Sequence, residues 1–155
     1  MDQDLFKAAL SRWGSGISVI TTSNGESGPL GFTATSFCSL SLEPPLVLFC
    51  LSQQSQLLAD FQNADGFAVN FLHAEQEALS NLFASSNTDK FQGVELLAKD
   101  SGGLPLLGGC LANLVCKKEE EYPGGDHRIF VGRVMDVVLG EGDPLLYFKG
   151  KYRML

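Results

Sequence analysis

The sequence predicts a mainly β protein, an antiparallel barrel with a few helices packed on its outside. Three observations carry that expectation. About six or seven runs are rich in Val, Ile, Phe and Thr, side chains that suit a pleated, half-buried surface. Most of these runs are joined by turns too short for the crossover that a parallel pair needs. Only three segments carry apolar residues at helical spacing. A chain of 155 residues is long enough for one real core, and no repeat, low-complexity tract or linker divides it, so one domain over 1–155 is expected.

Taken in order, LFKAALSRW (5–13) has the spacing of a short amphipathic helix. GISVITT (16–22) reads as a strand, SNGESG as a turn, and PLGFTATSFCSLS (29–41) as one extended stretch ended by Glu43-Pro44-Pro45. LVLFCLS (46–52) is a short buried strand. QSQLLADFQNA (54–64) is a helix with Ser52 or Ser55 as cap, because a serine hydroxyl satisfies a free N–H of the first turn. GFAVNFL (66–72) returns as strand, and AEQEALSNLFASSN (74–87) is the strongest helix. Residues 88–107 read as a loose surface excursion. CLANLVCKKEEEY (110–122), a PGG turn and HRIFVGRVMDVVLG (127–140) make a long hairpin, and LLYFKGKY (145–152) is a last strand.

Composition excludes several functions. Eighteen acidic against eleven basic residues leave a net charge of −7, which disfavours a nucleic-acid or anionic-membrane surface. No apolar run reaches membrane length, and the start MDQDLFKAAL is acidic where a signal peptide is basic; a cytoplasmic protein is expected. Cys38, Cys50, Cys110 and Cys116 show no CxxC and no zinc-type pairing with histidine, so no metal is expected and buried reduced thiols are. There is no GxGxxG after a strand, no P-loop, no HExxH and no GxSxG.

Four stretches carry chemistry. In GFTATSFCSLS, strand alternation puts Thr33, Thr35, Ser39 and Ser41 on one face, with Ala34 and Ser36 on the other. Such hydroxyls suit a phosphate and a ribityl chain; they equally suit a strand with one wet face. In LFCLSQQSQLL a buried strand runs into a helix start, which suits an anion or ordinary capping. His127, beside Asp126 at the mouth of GDHRIFVGRV, can donate a hydrogen bond to a carboxamide or deliver a proton. In LLYFKGKYRML, Tyr147 and Tyr152 with Lys149, Lys151 and Arg153 suit a lid over a planar anion, or a charged edge strand.

In order and spacing, GFTATSFCSLSLEPPLVLFCLS, FAVNFLHAEQEALSNLFA, DKFQG, GDHRIFVGRV and PLLYFKGKY resemble the short-chain flavin reductases. These are FMN-binding split-barrel proteins that serve as reductase components of two-component flavin-dependent monooxygenases. The resemblance spans nearly the whole chain. It implies an antiparallel split β-barrel with a few peripheral helices, a homodimer, and a flavin near the subunit boundary. It also implies that Thr33, Ala34, Thr35, Ser36, Ser39 and Ser41 line FMN or FAD, that Cys50, Leu51, Ser52 and Ser55 supply the neighbouring turn, and that Phe83, Ala84 and Lys90 close over it. His127 becomes the catalytic residue on the side where NADH or NADPH arrives, with Tyr152 and Arg153 nearby. Ala34, Gly31 and Gly132 leave room for two flat rings.

The implied activity is hydride transfer from NAD(P)H to flavin, with the reduced flavin passed to a partner monooxygenase. The cofactors carry the hydride and the protein supplies alignment. Two alternatives stay open: an FMN-containing reductase of another acceptor, and a flavin-binding electron carrier without nicotinamide turnover. Against the family pattern, Thr35 stands where Asn is frequent, and CLSQQS replaces a CVNRSS-like turn. That puts Gln53 in the place of an Arg and leaves FMN versus FAD undecided. Lys149 and Lys151 stand where Arg is common, keeping the charge and losing the bidentate fork.

Overall fold

The computed structural model describes residues 1–99 and 101–155. The chain runs α1 (Gln3–Leu10), β1 (Ser15–Gly16), β2 (Ser18–Asn24), β3 (Gly28–Ala34), β4 (Cys38–Ser41), β5 (Leu46–Ser52), α2 (Leu58–Asn63), β6 (Gly66–Phe71), α3 (Glu77–Ala84), β7 (Ala112–Gly124), β8 (His127–Leu139), β9 (Leu146–Phe148) and β10 (Lys151–Arg153). Seven strands form one sheet in the order β3-β2-β6-β7-β8-β5-β4, every neighbour antiparallel.

That order dictates the barrel. β3 and β4 follow one another in sequence yet lie at opposite ends of the sheet. Only Thr35, Ser36 and Phe37 join them, a link of about 14 Å at full stretch. The sheet therefore has to curl until its two edges face each other. No ladder pairs β3 with β4, so the closure is a seam, and the fold is a split barrel. The Ser36 hydroxyl stitches it, donating to the Cys50 carbonyl at 2.9 Å and accepting from the Cys50 N–H at 3.1 Å. The stretch 29–41, expected as one strand, is thus two strands on opposite edges. Alternation through it breaks at the crossing.

Phenylalanines fill the interior. Phe49 of β5 stacks on Phe130 of β8 at 5.1 Å between centroids, and Phe67 of β6 meets Phe49 edge-on at 4.8 Å. Phe61 of α2 packs against Phe32, Phe49 and Phe130 and so closes one end. Burying each such ring contributes about 2–3 kcal/mol. Gly132 and Gly31 both pack closely against phenylalanine rings, and Gly31 also borders a surface cleft. A Cβ on Gly132 would lie 2.4 Å from the Phe67 ring, and one on Gly31 would press at 3.0 Å on the Phe83 ring, the Thr21 methyl and the Ile20 carbonyl.

Several expected elements differ. The excursion 88–107 is not all surface: Pro105, Leu106 and Leu107 are buried, and Asp100 lies outside the described residues. A buried amide network holds this segment. Asn70 donates to the Val19 carbonyl and the Thr21 hydroxyl and accepts from Leu107 N–H and the Asn113 amide, while Thr21 donates to the Pro105 carbonyl. The predicted last strand folds back at Lys149-Gly150, both at positive φ, into the β9–β10 hairpin, which joins β1 in a separate sheet. α2 begins only at Leu58, and neither Ser52 nor Ser55 caps it; their hydroxyls accept from Gln54 and Leu57 N–H in local turns. Of the cysteines, Cys38 is exposed and Cys110 precedes β7.

Candidate functional site

A cleft of about 580 Å³ opens between β3, the turn before α2, and the end of α3. Its shape follows from the way α3 stops. Ser85 donates its hydroxyl to the Leu82 carbonyl and accepts from Asn87 N–H, and Asn87 in turn accepts from Asp89 N–H. Short polar side chains thereby bend residues 85–89 into a chain of local turns. The bend returns Lys90 to the helix it just left. Its ammonium donates to the Phe83 carbonyl at 3.0 Å and the Gly31 carbonyl at 3.4 Å. These neutral partners position the charge without cancelling it, and burial lowers the Lys90 pKa. Phe83 and Phe91 pack edge to face beside it at 5.1 Å.

Of the residues expected to hold flavin, Thr33, Ser55, Phe83, Ala84 and Lys90 line this cleft. The Thr33 proton is already given to the Ser80 carbonyl at 2.6 Å, leaving its lone pairs to accept. Ser85, Ser86, Asn87 and Thr88 also line it and were not singled out. Their legible signal is a polar run directly after an apolar helix. The lining joins an apolar floor, Phe32 and Leu57, to hydroxyl and amide donors and one cation. That donor set fits a flat, partly apolar and anionic ligand, as a flavin nucleotide is.

The other expected residues form separate groups. Ala34 is buried in the phenylalanine core, while Ser39 and Ser41 pair with Val47 and Leu46 on the β4 edge. Thr35 lines a second, mostly apolar cleft of about 300 Å³ with Trp13, Phe37 and Phe71. Ser36 is committed to Cys50 at the seam; Leu51 is buried, and burial raises the Cys50 thiol pKa, keeping it neutral. Tyr152 stands beneath α3, donating to the Asn81 carboxamide at 2.7 Å and lying 2.9 Å from the Ser80 hydroxyl. Arg153 is exposed and paired with Leu146. Both belong to the β1-β9-β10 sheet, apart from His127 in the large sheet.

His127 begins β8, directly across from Ser52 at the end of β5. Its hairpin loop is the pair Gly125-Asp126, with Gly125 at φ +66°, the geometry of a tight two-residue turn with glycine first. The Asp126 carboxylate meets His127 Nδ1 at 2.7 Å, which holds the Asp126 pKa below the usual range. Adjacent residues of one strand point to opposite faces, but Asp126 lies in the loop, and the turn brings its carboxylate to the ring. Ser55 N–H donates to the Ser52 carbonyl at 3.0 Å, so one short turn links the histidine's strand partner to the cleft wall.

A family description, flavin reductase like domain, matches residues 10–155. The chain belongs to the flavin reductase family. Among relatives of this flavin reductase, the reductase component of 4-hydroxyphenylacetate 3-monooxygenase from Thermus thermophilus is 44% identical, across 99% of this chain and 97% of that protein. An NADH:FMN oxidoreductase from Rhodococcus qingshengii is 38% identical, across 95% and 79%. Among solved structures, an NADH:FAD oxidoreductase of Streptomyces globisporus in complex with NAD and FAD fragments superposes with a TM-score of 0.92 at 33% identity, covering 98% of this chain and 92% of that one. The mainly β split barrel of this flavin reductase is therefore the fold of its relatives, and the protein is an oxidoreductase.

Proposed function

We propose that the protein takes hydride from NADH or NADPH, delivers it to FMN or FAD held in the cleft beside Lys90, and releases reduced flavin to a separate monooxygenase. The observation that carries this reading is the cleft itself. It offers one positioned, uncancelled cation and a rim of hydroxyl and amide groups in a chain of net charge −7. Bound flavin supplies the ring that accepts hydride. The protein's part is to hold the anionic tail with Lys90, Ser85 and Thr88, to seat the ring against apolar walls, and to present His127 on the nicotinamide side.

A homodimer accompanies this reading. Met135, Val137 and Leu139 of β8, Leu40 of β4 and Leu42 just after it are exposed apolar side chains, which a second copy can cover. Whole-length similarity to a protein named as the reductase component of a monooxygenase supports the transfer of reduced flavin to a partner. The four free thiols suit the reducing cytoplasm. No helix among the described residues is long and apolar enough to cross a membrane.

The test is oxidation of NADH and of NADPH by the purified protein, titrated separately with FMN, FAD and riboflavin. Saturable turnover that depends on added flavin, with a preference for phosphorylated flavins, is the expected result. Flavin binding without nicotinamide turnover would leave a carrier.

A further inference from the structure

Beyond the cleft, the segment at the end of β5 holds a contact that the proposed chemistry does not yet use. Gln53 follows Ser52, the last β5 residue paired with β8, and it grips the neighbouring hairpin loop twice. Its backbone N–H donates to the Asp126 carbonyl at 2.9 Å, and its side-chain amide donates to the Gly125 carbonyl at 2.9 Å. These are the two loop residues that precede His127.

The loop has little else to hold it. Asp126 has 94% of its side chain in solvent and His127 45%. A carboxylate–imidazole contact that exposed adds little to the stability of the loop, because water and salt screen it and two side chains must be immobilised to make it. Ladder pairing ends at His127 opposite Ser52 and Gly124. Beyond that pair, the orientation of the Gly125–Asp126 peptide decides where the Asp126 carboxylate stands, and that carboxylate meets the imidazole. Gly125 at φ +66° is free to flip to other conformations, as glycine is. A side-chain bond to its carbonyl selects one of them.

We propose that Gln53 is a positioning residue for His127. It fixes the Gly125–Asp126 loop, so that Asp126 holds the imidazole in the orientation used when nicotinamide is bound. The proposal rests on the reading of His127 as the nicotinamide-side residue. It assigns Gln53 to loop geometry and away from the flavin's phosphate.

Replacing Gln53 by Met keeps the side-chain length and removes the amide that donates to Gly125; the backbone bond to Asp126 stays. The measurement is single-turnover hydride transfer from NADH to bound flavin, with flavin affinity and melting temperature alongside, for Gln53→Met, Gln53→Arg, His127→Ala and Gln53→Met/His127→Ala. Gln53→Met is expected to slow hydride transfer about tenfold, the scale of a small misplacement of a reacting group, with flavin affinity and melting temperature held. Gln53→Arg, which keeps a donor of sufficient reach, recovers most of that rate. The double variant is no slower than His127→Ala, because a group acting through His127 has nothing left to position. Additive losses, or a normal rate in Gln53→Met beside a slow His127→Ala, overturn the proposal and leave His127 in its role. A normal rate in His127→Ala removes that role and the proposal together. Weakened flavin binding in Gln53→Met returns Gln53 to the cofactor and also overturns it.

Discussion

Lys90 donates to the Phe83 carbonyl at 3.0 Å, crossing from the loop after α3 back to the last turn of that helix. Two of the three ammonium hydrogens are occupied by neutral carbonyls, and the third is available to a ligand. The arrangement also satisfies one of the carbonyls that every helix end leaves open.

Lys90→Met is expected to weaken flavin binding about 5- to 30-fold, the worth of one charged hydrogen bond at a partly exposed site. Fluorescence titration with FMN and riboflavin checks it. The loss should be large for the phosphorylated flavin and small for riboflavin.

The same residue sets a pH dependence. Burial lowers the Lys90 pKa, so its positive charge is present at neutral pH and is lost as pH rises through a value below the ordinary lysine range. Flavin affinity is expected to fall on that alkaline side. The fall should be absent in Lys90→Met. A bound anion raises the Lys90 pKa, so the midpoint moves upward in the complex.

His127→Ala is expected to lower hydride transfer at least about tenfold while changing flavin affinity little. Stopped-flow reduction of bound flavin separates the two quantities. An unchanged rate of reduction would remove His127 from the reaction.

Gly132→Ala places a methyl group 2.4 Å from the Phe67 ring and 3.0 Å from the Cys116 Cβ. Overpacking of this kind costs about 1–3 kcal/mol. Thermal unfolding should show that loss, and flavin affinity of the folded protein should be unchanged. A glycine needed for ligand space would give the reverse pattern.

Asn70→Leu leaves the Leu107 N–H and one Asn113 hydrogen without their acceptor, and the Val19 carbonyl without its side-chain donor. Each orphaned buried group costs about 1–3 kcal/mol. Hydrogen exchange at Leu107 should accelerate well before the β2–β6 ladder opens.

Much of the fold was legible because strands announce themselves locally. GISVITT, LVLFCLS, GFAVNFL and the 110–140 hairpin carry their alternation, turn residues and apolar runs within a few positions. The flavin reductase blocks, including the GDH loop, the hydroxyls from Thr33 onward and Lys90 after the best helix, were likewise readable in order. The polar run Ser85–Thr88 was visible too, but nothing local says that it faces a cleft.

The tertiary structure alone decided which sheet edge each residue joins. Thr33 and Ser39 share a face only if one strand holds both; curling of the sheet sends them to opposite edges, one to the cleft and one to the rim. It also decided that Gly31 and Gly132 accommodate phenylalanine rings, that Asn70 pulls Pro105–Leu107 into the interior, and that Gln53 reaches the loop before His127. The physical reason is common to all of these. They depend on contacts between residues far apart in sequence, which follow from how the sheet closes, whereas strand, turn and cap preferences act over a few neighbouring positions.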